Sequence, residues 1–108
     1  MQSCRLLLDK AAITMKTEKS NRKFALGRVV ITEGASSKLA ECDVWNAFNR
    51  HANGDWGDLC DDDRELNDWG VYHNARLMSR YCTDDGTWFW IITEWDRSVT
   101  TILLPEEY

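Results

Sequence analysis

The sequence predicts a single α+β domain of order β-α-α-α-β-β-β, an antiparallel meander with helices packed on one face. Three observations predict it. Val44, Ala47, Phe48 and His51 recur at i, i+3, i+4 and i+7, which is one face of a helix. From Ala75 onward the period of the apolar pattern changes to two. The runs after that point are separated only by Asp84-Asp85-Gly86 and Asp96-Arg97-Ser98, connections so short that successive strands must be antiparallel. A chain of 108 residues supplies one core and not two.

Each element has its own warrant. Phe24–Thr32 is β-branched and bounded by Glu33-Gly34, so a strand is expected there, joining the sheet of the meander. Ala35–Cys42 reads as a short helix, with Leu39, Ala40 and Cys42 available for packing. Asp43 is the expected N-cap of the second helix, which Asn53-Gly54 ends. Asp61-Asp62-Asp63 opens a third helix, its carboxylates placed at the positive end of the dipole; it runs to about Trp69, and Gly70 breaks it. Arg76–Thr83, Thr87–Trp95 and Val99–Leu104 are the three meander strands, stopped by Pro105. In the second turn Asp96 is suited to bond its own following backbone.

The net charge of −5 hides an asymmetry. Residues 1–28 hold seven Lys and Arg against two acids, and residues 29–108 hold six against sixteen. Residues 1–23 form an expected flexible basic N-terminal arm, and 24–108 an acidic domain. Met15 opens onto a polar, basic run, which favours it as the natural start with the preceding residues as an upstream extension. Nucleic-acid binding rests on Lys and Arg neutralising phosphates, so the acidic domain argues against a nucleic-acid partner. An acidic surface instead suits a basic protein, a metal ion, or solubility alone.

Cys4, Cys42, Cys60 and Cys82 are scattered without a C-x-x-C pair and read as free thiols in a reducing, cytoplasmic setting. Leu6-Leu7-Leu8 is too short for a secretory signal, and no stretch nears the roughly 20 apolar residues that span a bilayer. No membrane association is expected.

Two stretches carry a resemblance to a known family. One is Leu26–Thr32 continuing to Asn49-Arg50-His51-Ala52-Asn53-Gly54-Asp55-Trp56-Gly57. The other runs from Arg76-Leu77 and Ser79-x-Tyr81 through Trp90-Ile91-Ile92-Thr93-Glu94-x-Asp96-Arg97-Ser98 to Leu103-Leu104-Pro105-Glu106-Glu107-Tyr108. Together they resemble small plasmid- and prophage-borne proteins often labelled "plasmid-related protein" or, misleadingly, type I restriction endonuclease subunit M. The likeness covers about residues 24–108 and departs at Trp69–Asn74, where family members are more regularly helical and polar. It implies a mobile genetic element as the setting, and no biochemical activity. The element order also resembles that of the ribosome-dependent mRNA-cleaving toxins, an analogy of fold alone.

The densest set of candidate binding residues is Arg50, His51, Asp55, Trp56 and Asp58. With Asp61–Asp63 these oxygens could gather a divalent cation, but their spacing matches no known cation loop. The plainer reading makes His51 a packed, hydrogen-bonded core histidine, Asp55 a brace for its turn and Trp56 a cover over the core. No metal or other cofactor is expected. No catalytic residue is singled out either: neither His51 nor His73 lies near a nucleophile-elbow pattern, and no cysteine has a visible activating context.

The meander adds Arg76, Arg80, Glu94, Asp96 and Arg97 as candidate binding residues. Two arginines and a carboxylate could stabilise a scissile phosphate, but cross-strand pairing of Arg76 or Arg80 with Glu94 is the ordinary reading. Trp88 and Trp90 alternate with Phe89 and Ile91, so both faces of that strand carry large apolar groups. If helices cover only one face, the other presents an aromatic patch, and such patches mark interaction sites. The expectation is therefore a non-enzymatic protein-binding module, with a protein partner or a homodimer. A counter-defence role, a ribonuclease-toxin relative and a small metal-binding module are the other readings.

Overall fold

The computed structural model describes residues 22–108 and the backbone of residues 4–6. The architecture is α+β, and the order β-α-α-α-β-β-β is found over the domain. The elements are β1 (Cys4–Leu6), β2 (Arg28–Thr32), α1 (Glu33–Lys38), α2 (Glu41–Ala52), α3 (Asp61–His73), β3 (Leu77–Cys82), β4 (Trp88–Thr93) and β5 (Val99–Leu103). A 3₁₀ turn, Pro105–Glu107, ends the chain. Cys4–Leu6, inside the segment read as a basic arm, adds to the sheet as an antiparallel edge strand on β2. The rest of that arm lies outside the described residues, apart from Arg22 and Lys23.

The sheet order is β1-β2-β5-β4-β3. The meander β3-β4-β5 is antiparallel, in the register Leu77↔Thr93 and Ile91↔Ile102. β2 joins β5 in parallel, Val29 opposite Thr100, which makes the whole sheet mixed. Val29, Ile31, Tyr81, Phe89, Ile91 and Ile102 point to one face, where Ala35, Leu39, Val44, Ala47, Phe48 and Ala52 of the first two helices close over them. This alternation follows directly from the pleat.

Three boundaries differ from the sequence expectation, each for a physical reason. Asp43 does not cap α2: the helix begins at Glu41 after Ala40 with no side-chain cap, and Asp43 lies in its first turn. α1 begins at Glu33, because the Thr32 hydroxyl caps it by accepting the Ala35 N–H at 3.2 Å. Gly70 does not break α3, which continues to His73 and ends on Asn74 in the left-handed conformation (φ 53°). Glycine is needed at position 70 for close approach: a Cβ there would lie 3.0 Å from Ala75 Cβ and 3.1 Å from Leu77 Cδ2.

α3 meets the sheet at β3, the strand with a free edge. Open strand edges present unpaired backbone groups, and here three groups cover them. The Asn67 side chain bonds the backbone of Met78. The Arg80 N–H donates to the Trp56 carbonyl at 3.1 Å, and its carbonyl accepts the Asp58 N–H at 2.7 Å. Gly57 sits between those two with φ +76°, and a Cβ on it would stand 2.1 Å from the Arg80 oxygen. The loop after α2 therefore adds an isolated parallel bridge, Gly57 with Arg80, to the β3 edge.

Candidate functional site

His51 projects from α2 into the core and is fully buried. Its Nδ1 meets Ser79 Oγ at 2.5 Å and its Nε2 meets Thr93 Oγ1 at 2.9 Å. Thr93 Oγ1 lies 2.7 Å from Thr100 Oγ1, which in turn donates to the Leu26 carbonyl at 2.7 Å. The direction of every proton follows from that last bond. Thr100 has spent its hydrogen on Leu26, so Thr93 donates to Thr100, and His51 donates from Nε2 to Thr93. Nδ1 is then the acceptor for Ser79. Burial, with the charge of Arg97 adding to it, lowers the His51 pKa from 6.5 to about 3, so the ring is neutral at ordinary pH.

The edges of the Phe24 and Trp56 rings close this site, with centroids 5.4 and 5.5 Å from the imidazole. Trp56 is itself buried and donates its indole N–H to Asp68 at 2.8 Å. Asp55 takes a two-pronged bond from Arg50, 2.9 and 3.2 Å, and accepts the Gly57 N–H. The Arg50 bond holds its carboxyl below the usual carboxylate range. The loop set is thus brought together as sequence reading anticipated: a core histidine, a turn brace and an aromatic cover. His51 and Asp55 do not form a ligand pair, since both imidazole nitrogens and the carboxylate already have partners. Among the described residues no group of three or more His, Cys, Asp or Glu side chains is arranged to hold a metal ion. Asp58 enters through its backbone, on Arg80.

The arginines of the meander are held apart by different partners. Arg76 pairs with Glu94 at 3.4 Å across the β3–β4 ladder, and its guanidinium donates to the Tyr108 hydroxyl at 2.6 Å. Arg80 lies over the Trp88 ring, 4.2 Å from its centroid. Arg97, in the left-handed conformation at φ 59°, gives its guanidinium to the carbonyls of Gly70, Ala75, Glu94 and Trp95. It ties the end of α3 to the β4–β5 turn, where Asp96 accepts the Ser98 N–H and hydroxyl. Arg76 borders a hollow of about 210 Å³ with Asp63, Leu66 and Met78, while Arg80 borders another of about 260 Å³ with Arg50, Asp58 and Tyr81.

The aromatic sheet face is not the open patch that strand alternation suggested. Trp88 is half-covered by Arg80, and Trp90 by the Tyr108 ring at 5.3 Å. Ile92 and Leu103 on that face are buried. The chain folds its C-terminal turn back, fixed by Glu107, which accepts from the Thr32 hydroxyl, the Gly34 N–H and the Leu104 N–H. Sequence alternation assigns residues to a face but does not report what else crosses it.

Besides Trp95 and Tyr108, which are 63 and 65 % exposed, the exposed large apolar side chains lie on α3 among the described residues. Leu66, Trp69 and Tyr72 of α3 are 65, 55 and 80 % exposed, and they sit at i, i+3 and i+6, winding from Leu66 beside the buried Gly70 to Tyr72 opposite it. Trp69 is stacked face to face on His73 at 4.2 Å. Asp62 and Glu65 lie on the same outward face, and with Leu66 and Trp69 they are the described residues that line a hollow of about 530 Å³. The helix therefore carries apolar groups on its solvent side, the reverse of an ordinary surface helix. Spacing from Leu66 to Tyr72 was a usable signal, but ending the helix at Trp69 removed Tyr72 from it.

The free thiols of Cys42, Cys60 and Cys82 are exposed, away from both histidines' bonding partners. Among the described residues no helix is long and apolar enough to cross a membrane. No protein-family model, no curated protein and no solved structure matches the chain.

Proposed function

We propose that this protein is a non-enzymatic protein-binding module that docks its partner on the outward face of α3. The carrying observation is the exposed stripe Leu66, Trp69 and Tyr72, large apolar side chains that face solvent beside a hollow of about 530 Å³. Exposed patches of this kind mark interaction surfaces, and Trp and Tyr are the side chains that most often anchor them. The alternatives draw less from the geometry: the arginines a phosphate-cleaving reading needs are occupied singly, and His51 is sealed in the core.

The resemblance to plasmid- and prophage-borne proteins supports a mobile genetic element as the setting, and the partner we propose is then a protein of a host defence system. A counter-defence role is part of this proposal. Affinity capture from host cytosol, with wild type and a Leu66→Ser/Trp69→Ser variant as paired baits, tests it. The expected result is a protein held by the wild type and lost with the variant; equal capture by both baits would count against the reading.

A further inference from the structure

We infer that the partner presents a basic, amphipathic helical segment, and that α3 reads it in two parts. This rests on the protein-binding reading above. The outward face is divided along the helix axis. Asp61, Asp62 and Glu65 occupy its first turns, and Leu66, Trp69 and Tyr72 the later ones, while Asp63 lies on the side of Asn67 and Met78. From Asp62 to Trp69 the axial separation is about 10 Å at the usual helical rise.

The carboxylates of the first turn have a structural role already, since they lie at the positive end of the helix dipole. That role does not account for the rest of the face. Glu65 is past the dipole end, and the apolar stripe gains nothing from water. Asp61 shares one ion pair with Arg64 at 4.0 Å, whereas Asp62, Asp63 and Glu65 have no ion pair among the described residues. Arg64 itself turns away to the Gly57 carbonyl. Negative charge that has no ion pair among the described residues, beside exposed Leu, Trp and Tyr, is complementary to one chemistry: Lys or Arg flanking an apolar stripe. A second copy docking face to face through residues 29–108 is the poorer fit, because they hold sixteen acids against six basic residues and two such faces would repel. A bare polycation would satisfy the carboxylates and leave the stripe wet.

The hollows give the apolar part its shape. Leu66 stands between one of about 530 Å³ beside Asp62, Glu65 and Trp69 and another of about 210 Å³ beside Leu59, Asp63 and Met78. Volumes of a few hundred Å³ accept one large side chain or a short row of them. The partner segment is expected to insert aliphatic or aromatic groups beside Leu66 while its cations reach Asp62 and Glu65.

The test titrates the full chain with synthetic helical peptides of about five turns. One has Lys on one face and Leu on the other, a second has Glu in place of Lys, a third Ser in place of Lys, and a fourth is oligolysine. Expected is binding of the Lys/Leu peptide, weakened at least about tenfold by Leu66→Ser/Trp69→Ser and comparably by Asp62→Lys/Glu65→Lys, with the other three peptides far weaker. Thermal unfolding of each variant confirms that the fold is kept. If the Glu/Leu or Ser/Leu peptide binds as tightly and is also lost in the Leu66/Trp69 variant, the surface is a binding site but the partner class proposed here is wrong. If no peptide's binding depends on Leu66 and Trp69, the protein-binding reading of α3 fails as well. Dimerisation of the wild type that the Leu66/Trp69 variant abolishes would assign the face to a second copy and overturn the basic partner.

Discussion

The side-chain amide of Asn67 stands in for a neighbouring strand at Met78: its Nδ2 donates to the Met78 carbonyl at 2.8 Å, and its Oδ1 accepts the Met78 N–H at 3.4 Å. One side chain thus satisfies both backbone groups that Met78 turns toward the open edge of β3, and it fixes α3 beside the sheet. The outward face of α3 is a consequence, since burying Asn67 and Gly70 leaves Trp69 and Tyr72 pointing away, with Leu66 exposed at the margin.

Asn67→Ala is expected to cost about 1–3 kcal/mol, the range for leaving part-buried polar groups without partners. Asn67→Asp keeps the acceptor and loses the donor, so it should fall between alanine and wild type. Chemical denaturation gives the energies. Faster hydrogen exchange at the Met78 amide in Asn67→Ala, with the Ile91 amide still protected, would locate the effect at the edge.

His51→Leu leaves the Ser79 and Thr93 hydroxyls without their ring partner, and a loss of about 3 kcal/mol is expected from the two orphaned groups and the altered packing. His51→Gln, which keeps polar atoms, should lose less. Equal losses for the two would show that the hydroxyl–imidazole chain contributes little.

The same histidine sets a pH dependence. Its folded pKa lies at about 3 against 6.5 ordinarily, so below pH 6.5 the unfolded chain takes up a proton that the folded one refuses. Stability then falls as pH drops from about 6.5 toward about 3, by about 1.4 kcal/mol per unit, and is complete above 6.5. The comparison between wild type and His51→Gln isolates this from the carboxylates. Their stability difference should shrink between pH 6.5 and 5, and a constant difference would contradict it.

Gly57→Ala is expected to be among the most damaging single substitutions, at about 3 kcal/mol or more. It adds a left-handed backbone strain at φ +76° to a Cβ placed 2.1 Å from the Arg80 carbonyl. Gly86→Ala makes the control, for it also has positive φ but nothing within 4 Å of the added Cβ. A smaller loss for Gly86→Ala, read from thermal unfolding, checks that the close approach matters beyond the strain.

Leu66→Ser/Trp69→Ser should leave stability within about 0.5 kcal/mol of wild type, because both side chains are largely in water. A large drop in the unfolding midpoint would mean that the stripe packs against the chain itself, and would remove it as a docking surface.

By itself the sequence determined the α+β class, the element order and the turn at Asp96, and it favoured a packed place for His51 on the apolar face of its helix. These follow from local chemistry: period, turn residues and the burial that an apolar helical face imposes. Tertiary structure alone decided the parallel pairing of β2 with β5, the return of Tyr108 over Trp90, the extension of α3 past Gly70 and the solvent side of Leu66, Trp69 and Tyr72. The physical reason is common to all four. A residue pattern reports which side chains share a face, but what covers that face is settled by groups outside the element itself. At α3 those groups are Met78, Ala75 and Leu77, which claim Asn67 and Gly70 and so turn the aromatic side outward.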